Sequence, residues 1–281
     1  MPLKFKKMHG LGNDFIILDR RGQSHTLPRS ELARLTHRKT GIGCDQIIPV
    51  EDPKHEEADV FMRILNAPGA TEVQACGNAT RCVASMFMKD NNTDEAVVQT
   101  VAGLLRCRAI DASKDMIEVD MGVPRLGWQE IPLSRECDTV ELPIGEGGLL
   151  NPVAVNIGNP HGVFFVDDTE SFPVTKWGPR FENDPVFPEK ANIEFATVID
   201  RHTIRMRVWE RDTGETDACG SAACATMVAA VRRDLVERRC KVILNGGILD
   251  FHWREEDDHL FMTGPAEHVF DGEVEINTDI A

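Results

Sequence analysis

The feature that most constrains this chain is an internal repeat. Glu72-Val73-Gln74-Ala75-Cys76-Gly77-Asn78-Ala79 aligns without a gap on Glu215-Thr216-Asp217-Ala218-Cys219-Gly220-Ser221-Ala222, and five of the eight positions are identical. Upstream, with a one-residue shift, Met62-Arg63-Ile64-Leu65-Asn66 pairs with Met206-Arg207-Val208-Trp209-Glu210. A weaker pairing sets Gly12-Asn13 against Gly158-Asn159. Chance can match three small residues. Eight ungapped positions with a matching strand upstream are better explained by duplication. Each half then carries the same unit of strand, turn, Ala-Cys-Gly and helix. A two-fold repeat usually sets equivalent residues across a shared cleft, so Cys76 and Cys219 are expected to face one another.

At 281 residues the chain exceeds a typical single domain, and two domains are the natural expectation. Apolar runs at 15–18, 60–65, 117–121, 163–166, 204–209 and 242–244 read as strands. Residues 204–209 alternate apolar and basic side chains, the pattern of a half-exposed strand. Helices are expected at 29–39, 77–89 and 220–232. Strands outnumber helices, which points to an α+β architecture with mixed or antiparallel sheets.

Charge excludes several partners. With 31 basic and 46 acidic residues the net charge is −15, and the chain has no long Lys/Arg cluster. That argues against nucleic acid or an anionic membrane. The basic start Met1–Met8 runs straight into His9-Gly10-Leu11-Gly12 without the apolar stretch of a signal peptide. No apolar run is long enough to span a bilayer, so a cytoplasmic protein is expected.

In that compartment the eight cysteines are expected as thiols, and the absence of any C-x-x-C offers neither a zinc ribbon nor a redox motif. No metal is therefore expected. Gly10-Leu11-Gly12 lacks the third glycine of a dinucleotide fingerprint, and the scattered lysines give no setting for pyridoxal phosphate. No cofactor is expected either.

Two cysteines at two helix starts make chemistry possible. The first backbone N–H groups of a helix have no partner within it, and the macrodipole places partial positive charge there. A thiolate at such a position is expected to have its pKa lowered toward neutrality. Gly77 and Gly220, lacking side chains, let a ligand approach those N–H groups, and an α-carboxylate suits them. Inverting an amino-acid α-carbon needs a base on one face, an acid on the other and donors for enolate-like charge. A thiolate and a thiol, exchanging roles in the reverse direction, meet that demand.

Several further blocks are more specific. Gly10-Leu11-Gly12-Asn13-Asp14-Phe15, Cys44-Asp45-Gln46, Ala75-Cys76-Gly77-Asn78 with Arg81-Cys82, and Gly158-Asn159-Pro160-His161 resemble the signature blocks of the diaminopimelate epimerase family. So do Ala191-Asn192-Ile193-Glu194-Phe195, Trp209-Glu210-Arg211, Ala218-Cys219-Gly220-Ser221 and Thr263-Gly264-Pro265-Ala266, in family order over almost the whole chain.

The resemblance implies two similar, pseudo-symmetric α+β lobes, each with sheets wrapped around a central helix. The lobes would be 1–121 with 268–281, the last strand returning to the first lobe, and 122–267. It implies cofactor-independent conversion of LL- to meso-diaminopimelate for lysine and peptidoglycan synthesis. By position, Cys76 and Cys219 are the acid–base pair, and Gly77-Asn78 with Gly220-Ser221 donate to the reacting carboxylate. Asn13, Gln46, Asn66, Asn159, Asn192, Glu210 and Arg211 line the substrate pocket, and His161 and Glu210 tune the thiols. Physically, Arg211 offers a planar fork to a carboxylate, Glu210 accepts from an ammonium, and amides serve either sign. Phe270 stands where many members carry a tyrosine that supports a homodimer, so that contact keeps its ring and loses a hydroxyl.

Taken singly, Asn13 and Asn159 after glycine also fit turns, His161 after Pro160 fits a turn cap, and Glu210-Arg211 fits a solvated pair. Cys44, Cys82, Cys107, Cys137, Cys224 and Cys240 fit core positions. The chain departs from the family at Pro68, Ala70, Ala79 and Asp212-Thr213, and Ala79 is the departure expected to crowd a carboxylate. Three other readings compete. They are a proline-racemase-like or hydroxyproline-epimerase-like enzyme, a thiol redox or metal-binding protein, and a non-enzymatic interaction module.

Overall fold

In the computed structural model, which describes residues 2–23, 27–73 and 76–276, the chain divides into two units. Gln74 and Ala75 of the first repeat block lie outside the described residues. One unit comprises Met1–Val119 with Gly264–Ala281, and the other Asp120–Thr263. The first runs through β1 (Leu3–Gly10), β2 (Asn13–Asp19), α1 (Arg29–Thr36), β3 (Gln46–Glu51), β4 (Val60–Met62), β5 (Ile64–Asn66) and β6 (Thr71–Val73). It continues with α2 (Gly77–Asn91), β7 (Glu95–Thr100), β8 (Gly103–Ala109) and β9 (Met116–Asp120).

The second unit holds β10 (Gly145–Glu146), β11 (Leu149–Leu150), β12 (Val153–Asn156), β13 (Pro160–Phe165), α3 (Val174–Glu182), β14 (Asn192–Asp200), β15 (Thr203–Glu210) and β16 (Gly214–Thr216). After these come α4 (Gly220–Arg232), β17 (Arg239–Leu244), β18 (Gly247–Trp253) and β19 (Leu260–Pro265). The last strand, β20 (Glu267–Val274), pairs antiparallel with β1. The architecture is α+β, with strands predominating and a helix packed into each unit.

The repeat is visible in the strand registers. In the first unit β2 and β3 run parallel with Phe15 opposite Gln46, while β3 and β5 run antiparallel with Ile47 opposite Leu65. In the second, β13 and β14 run parallel with His161 opposite Asn192, while β14 and β15 run antiparallel with Ile193 opposite Trp209. Leu65 then faces Glu72 on β6, and Trp209 faces Glu215 on β16. Each glutamate is followed, at the same offset, by the cysteine that precedes a helix. The duplicated segment is thus one folding unit built twice.

Both helices are core elements. α2 packs on β1, β2, β7 and β8, and α4 on β12 to β15, β17 and β18. α4 buries nearly every side chain, as its sequence Gly-Ser-Ala-Ala-Cys-Ala-Thr-Met-Val-Ala-Ala-Val predicts for a helix apolar on all sides. Its small residues let the surrounding strands approach closely. The alternation in β15 is also realised, with Ile204, Met206 and Val208 buried and Arg205 and Arg207 on the other face.

Three local expectations change. The helix expected at 29–39 ends at Thr36, because His37 turns to an extended conformation (φ −71°, ψ 120°). The strand expected at 60–65 is broken at Arg63 into β4 and β5. The helix α3, not expected from the sequence, carries Gly178 and Pro179 inside it. Gly178 is required there, since a Cβ would sit 2.3 Å from Cγ of Trp209. Among the described residues no helix is long and apolar enough to cross a membrane.

Candidate active site

Each unit gathers its polar residues at one end of adjacent strands. Asn13 opens β2, Gln46 opens β3 and Asn66 ends β5, the last two being register partners. In the second unit Asn159 directly precedes β13, Asn192 opens β14 and Glu210 ends β15. β6 starts opposite Asn66 and β16 starts opposite Glu210, and each then runs back along its neighbour before the cysteine. Of these polar residues, Asn13 lies within reach of the Cys76 thiol and Glu210 acts on the Cys219 thiol.

Cys76 and Cys219 are the N-cap residues of α2 and α4, in extended conformation (φ −152° and −132°), and neither makes a side-chain cap hydrogen bond. Asp, Asn, Ser or Thr at such a position stabilises a helix by about 1 kcal/mol relative to a non-capping residue. Both helices forgo that gain at the same repeat position. Thr80 and Ala223 close the first turns onto the carbonyls of Cys76 and Cys219.

Around Cys76 the amides are oriented by charge. The Cys76 thiol lies 3.7 Å from Oδ1 of Asn13, which also accepts from Nδ2 of Asn78 at 3.3 Å. Oδ1 of Asn78 accepts from Nη2 of the fully buried Arg81 at 2.8 Å. Gly10 makes room for that guanidinium, since a Cβ there would stand 3.0 Å from Nη2. The hairpin that delivers Asn13 turns through Leu11 (φ 56°) and Gly12 (φ 85°), the two positive φ values of a type I′ turn. Gln46 donates to Oδ1 of Asn66 at 2.7 Å, while its own Oε1 is buried without a partner among the described residues.

Cys219 sits in a different environment. It is buried, with Oγ of Ser221 at 3.6 Å. Burial raises the thiol well above its ordinary value, and the negative charge of Glu210 adds to that. Hydrogen bonds from Ser221 and the Ala222 N–H pull the other way and are outweighed. The helix-start argument, which expects a lowered pKa, does not hold at this thiol, where desolvation and a like charge oppose the thiolate. Removing that charge should shift the balance. Glu210→Gln is expected to lower the pKa of Cys219 and speed its alkylation by iodoacetamide at about pH 8, measured by peptide mass spectrometry. An unchanged or slower rate would show that Glu210 does not oppose the thiolate.

His161 is fully buried and commits both ring nitrogens, Nδ1 to Glu194 at 2.7 Å and Nε2 to Oδ1 of Asn159 at 2.9 Å. The Nε2 must donate, so Asn159 is left with its NH₂ group to offer. Burial pushes the Glu194 carboxyl up against the pull of His161, and its second oxygen has no partner among the described residues. Oδ1 of Asn192 accepts from the Arg211 N–H at 2.8 Å, and its buried Nδ2 is unpartnered among the described residues. The Arg211 guanidinium touches the Glu189 carbonyl at 3.1 Å. Glu210 accepts from Thr216 at 2.5 Å. Unsatisfied buried groups are costly, so Asn192 Nδ2, Gln46 Oε1 and Glu194 Oε2 each call for a partner that the described residues do not supply.

Other positions are accounted for. Ala79 and Ala222 are both fully buried, so neither methyl is presented to a ligand from solvent. Cys44, Cys82, Cys107, Cys224 and Cys240 are core residues, and burial raises Cys44, Cys82 and Cys240 to about 12. Cys137 is only half-buried, packed against the core of the second unit. Phe270 is exposed on β20, edge-on to Phe5 at 5.9 Å. Among the described residues no three His, Cys, Asp or Glu side chains gather in a way that could hold a metal ion.

Sequence reasoning gave no role to Asp45, Glu194 or Thr216, although the first two lie inside the quoted blocks. Lys7 and Arg38, which hold Asp14 by ion pairs at 2.5 and 2.7 Å, carried no local signal at all. Burial pushes the Asp14 carboxyl up, but Arg38 and Lys7 outweigh it and hold it at about 2.

The chain is 48% identical over 274 residues to the diaminopimelate epimerase of Rhodospirillum centenum, covering 98% of this chain and 93% of that protein. It is 48% identical over 273 residues to the diaminopimelate epimerase of Erythrobacter litoralis, covering 97% of each. Among solved structures, a probable proline racemase from Agrobacterium radiobacter K84 superposes with a TM-score of 0.71 at 12% identity, covering 99% of this chain and 94% of that one. That last likeness speaks to fold alone. The profile of the family described as diaminopimelate epimerase matches residues 5–127 and 153–269, and with these relatives it establishes that the chain belongs to that family.

Proposed function

We propose that this chain interconverts LL- and meso-2,6-diaminopimelate by moving one α-proton between Cys76 and Cys219, with no cofactor. The observation that carries the reading is the register-matched placement of the two cysteines, each opening a helix beside a polar cluster at its strand ends. The family relationship supplies the substrate.

Taking the α-proton beside a carboxylate builds dianionic charge on the carboxylate oxygens. In this reading the N–H groups of Gly77 and Asn78, and of Gly220 and Ser221, donate to that charge, each worth roughly 3 kcal/mol by analogy with an oxyanion hole. One sulfur accepts the proton as thiolate, the other delivers a proton as thiol, and the roles exchange in the reverse reaction. Burial and the charge of Glu210 both disfavour the thiolate of Cys219. A substrate ammonium beside Glu210 offsets the charge that opposes the Cys219 thiolate, so that thiol gains acidity as substrate arrives.

The far end of the substrate repeats an amino-acid group. Arg211, Nδ2 of Asn192 and the NH₂ of Asn159 suit its carboxylate, and Asn13, Gln46 and Asn66 supply further amides. His161 acts by holding Asn159. We assign the working assembly as a homodimer through β20, where Val269 and Phe270 lie exposed.

The test is exchange of α-hydrogen with deuterated water, without added cofactor, for diaminopimelate, proline and hydroxyproline. Deuterium is expected in diaminopimelate alone. Exchange into proline with none into diaminopimelate would overturn the reading.

A further inference from the structure

The amide of Asn13 is held at both ends, and the holding group is a carboxylate that no step of the reaction uses. Nδ2 of Asn13 donates to Oδ2 of Asp45 at 3.1 Å, and the same oxygen accepts the Asp14 N–H at 3.2 Å. The other oxygen of Asp45 takes Nη2 of Arg38 at 2.6 Å. Arg38 also binds Asp14 at 2.7 and 3.1 Å, and Asp14 accepts the Asp45 N–H at 2.9 Å. Lys7, bonded to the Gly43 carbonyl, pairs with Asp14 from the β1 side. Asp45 is thereby braced through its main chain and through both oxygens.

The opposite end is fixed independently. Arg81 can only donate, so Asn78 must present its oxygen to Arg81 and its nitrogen to Asn13. A flipped Asn13 would set its oxygen against the Asp45 carboxylate and its NH₂ against the NH₂ of Asn78. Both contacts are repulsive. Only one orientation survives, and it places an acceptor 3.7 Å from the Cys76 sulfur. Asn159, the repeat partner of Asn13, is held the other way round, because His161 takes its oxygen.

We propose that Asp45 is a positioning residue that locks Asn13 with its oxygen, and not its nitrogen, toward Cys76. The consequence rests on the reading of Cys76 as an acid–base thiol. An oxygen there accepts the S–H and aims it, whereas an N–H would favour the thiolate and misplace the proton. Asp45 acts only through Asn13, which is what separates this role from a structural one.

The test is a double-substitution cycle of Asp45→Ala and Asn13→Ala, with Asp45→Asn as the conservative variant. Two readouts are followed in the full chain: kcat/KM for epimerisation and the rate at which iodoacetamide labels Cys76. Asp45→Ala is expected to lower kcat/KM roughly tenfold and to speed labelling of Cys76, the loss being that of one charge-assisted hydrogen bond. In the Asn13→Ala background it is expected to change neither. Asp45→Asn, whose carbonyl still accepts from Asn13, should recover part of both.

An equal loss in the two backgrounds would overturn the proposal, since Asp45 would then act without Asn13. So would unchanged labelling of Cys76 in Asp45→Ala. If turnover is untouched throughout while labelling still couples the two residues, the lock stands and it is the acid–base role of Cys76 that fails.

Discussion

Cys219→Ala is expected to lower turnover of LL-diaminopimelate by at least about a thousandfold while the fold is retained, and Cys76→Ala to do the same. The magnitude follows from general acid–base catalysis, where one positioned group contributes about a hundred- to ten-thousandfold, and inversion requires both groups. Retention of the fold follows from local structure. Neither thiol makes a side-chain cap hydrogen bond to its helix, so alanine removes no cap. The cavity left by one sulfur is small, and Cys76 is only half-buried.

The two variants also make a sharper prediction. In Cys219→Ala the remaining thiolate can still remove an α-proton from the stereoisomer whose C–H bond faces it, and can only return one to the same face. Hydrogen exchange with retention should outlast inversion, and for one stereoisomer only. Cys76→Ala should show the complementary preference. Chiral chromatography of products formed in deuterated water reads both quantities. Wild-type inversion by either variant would end the two-base mechanism.

What was legible in the sequence was what is local or repeated. α4 begins and ends where its pattern predicts, because an apolar run bounded by Gly220 and Arg232 has one reading. The cysteine pair stood out because the same turn chemistry occurs twice. α3 was hidden by Gly178 and Pro179, which are ordinarily breakers, and its glycine is dictated by a tryptophan thirty-one residues on. The charge cluster behind Asn13 was hidden for a related reason. Lys7, Asp14, Arg38 and Asp45 meet only when a hairpin, a helix end and a strand start converge. Glu194 reads as the polar position of an alternating strand and is fully buried. The pKa of Cys219 was misjudged because a helix start can be inferred from sequence, whereas desolvation and the charge of Glu210 depend on packing.

Arg81 shows the same limit most strongly, and it carries the largest expected effect on stability. Its place in the Arg81-Cys82 block gave no sign of burial, yet its side chain is fully buried. Nε donates to the Pro265 carbonyl at 3.0 Å and Nη2 to Asn78 at 2.8 Å, so it ties α2 to the returning C-terminal segment of its own unit. Arg81→Met keeps much of the apolar volume and removes both donors. Each acceptor left unpaired in the interior costs about 1–3 kcal/mol, so two together cost about 2–6 kcal/mol. A loss of about 4 kcal/mol is therefore expected, against a total stability on the order of 5–15 kcal/mol. Arg81→Lys should fall between, because a single ammonium cannot reproduce the fork of a guanidinium. The measurement is the urea unfolding midpoint at unchanged slope. A methionine variant within about 1 kcal/mol of the parent would mean that Pro265 and Asn78 find other partners, and that the fold does not depend on this buried cation.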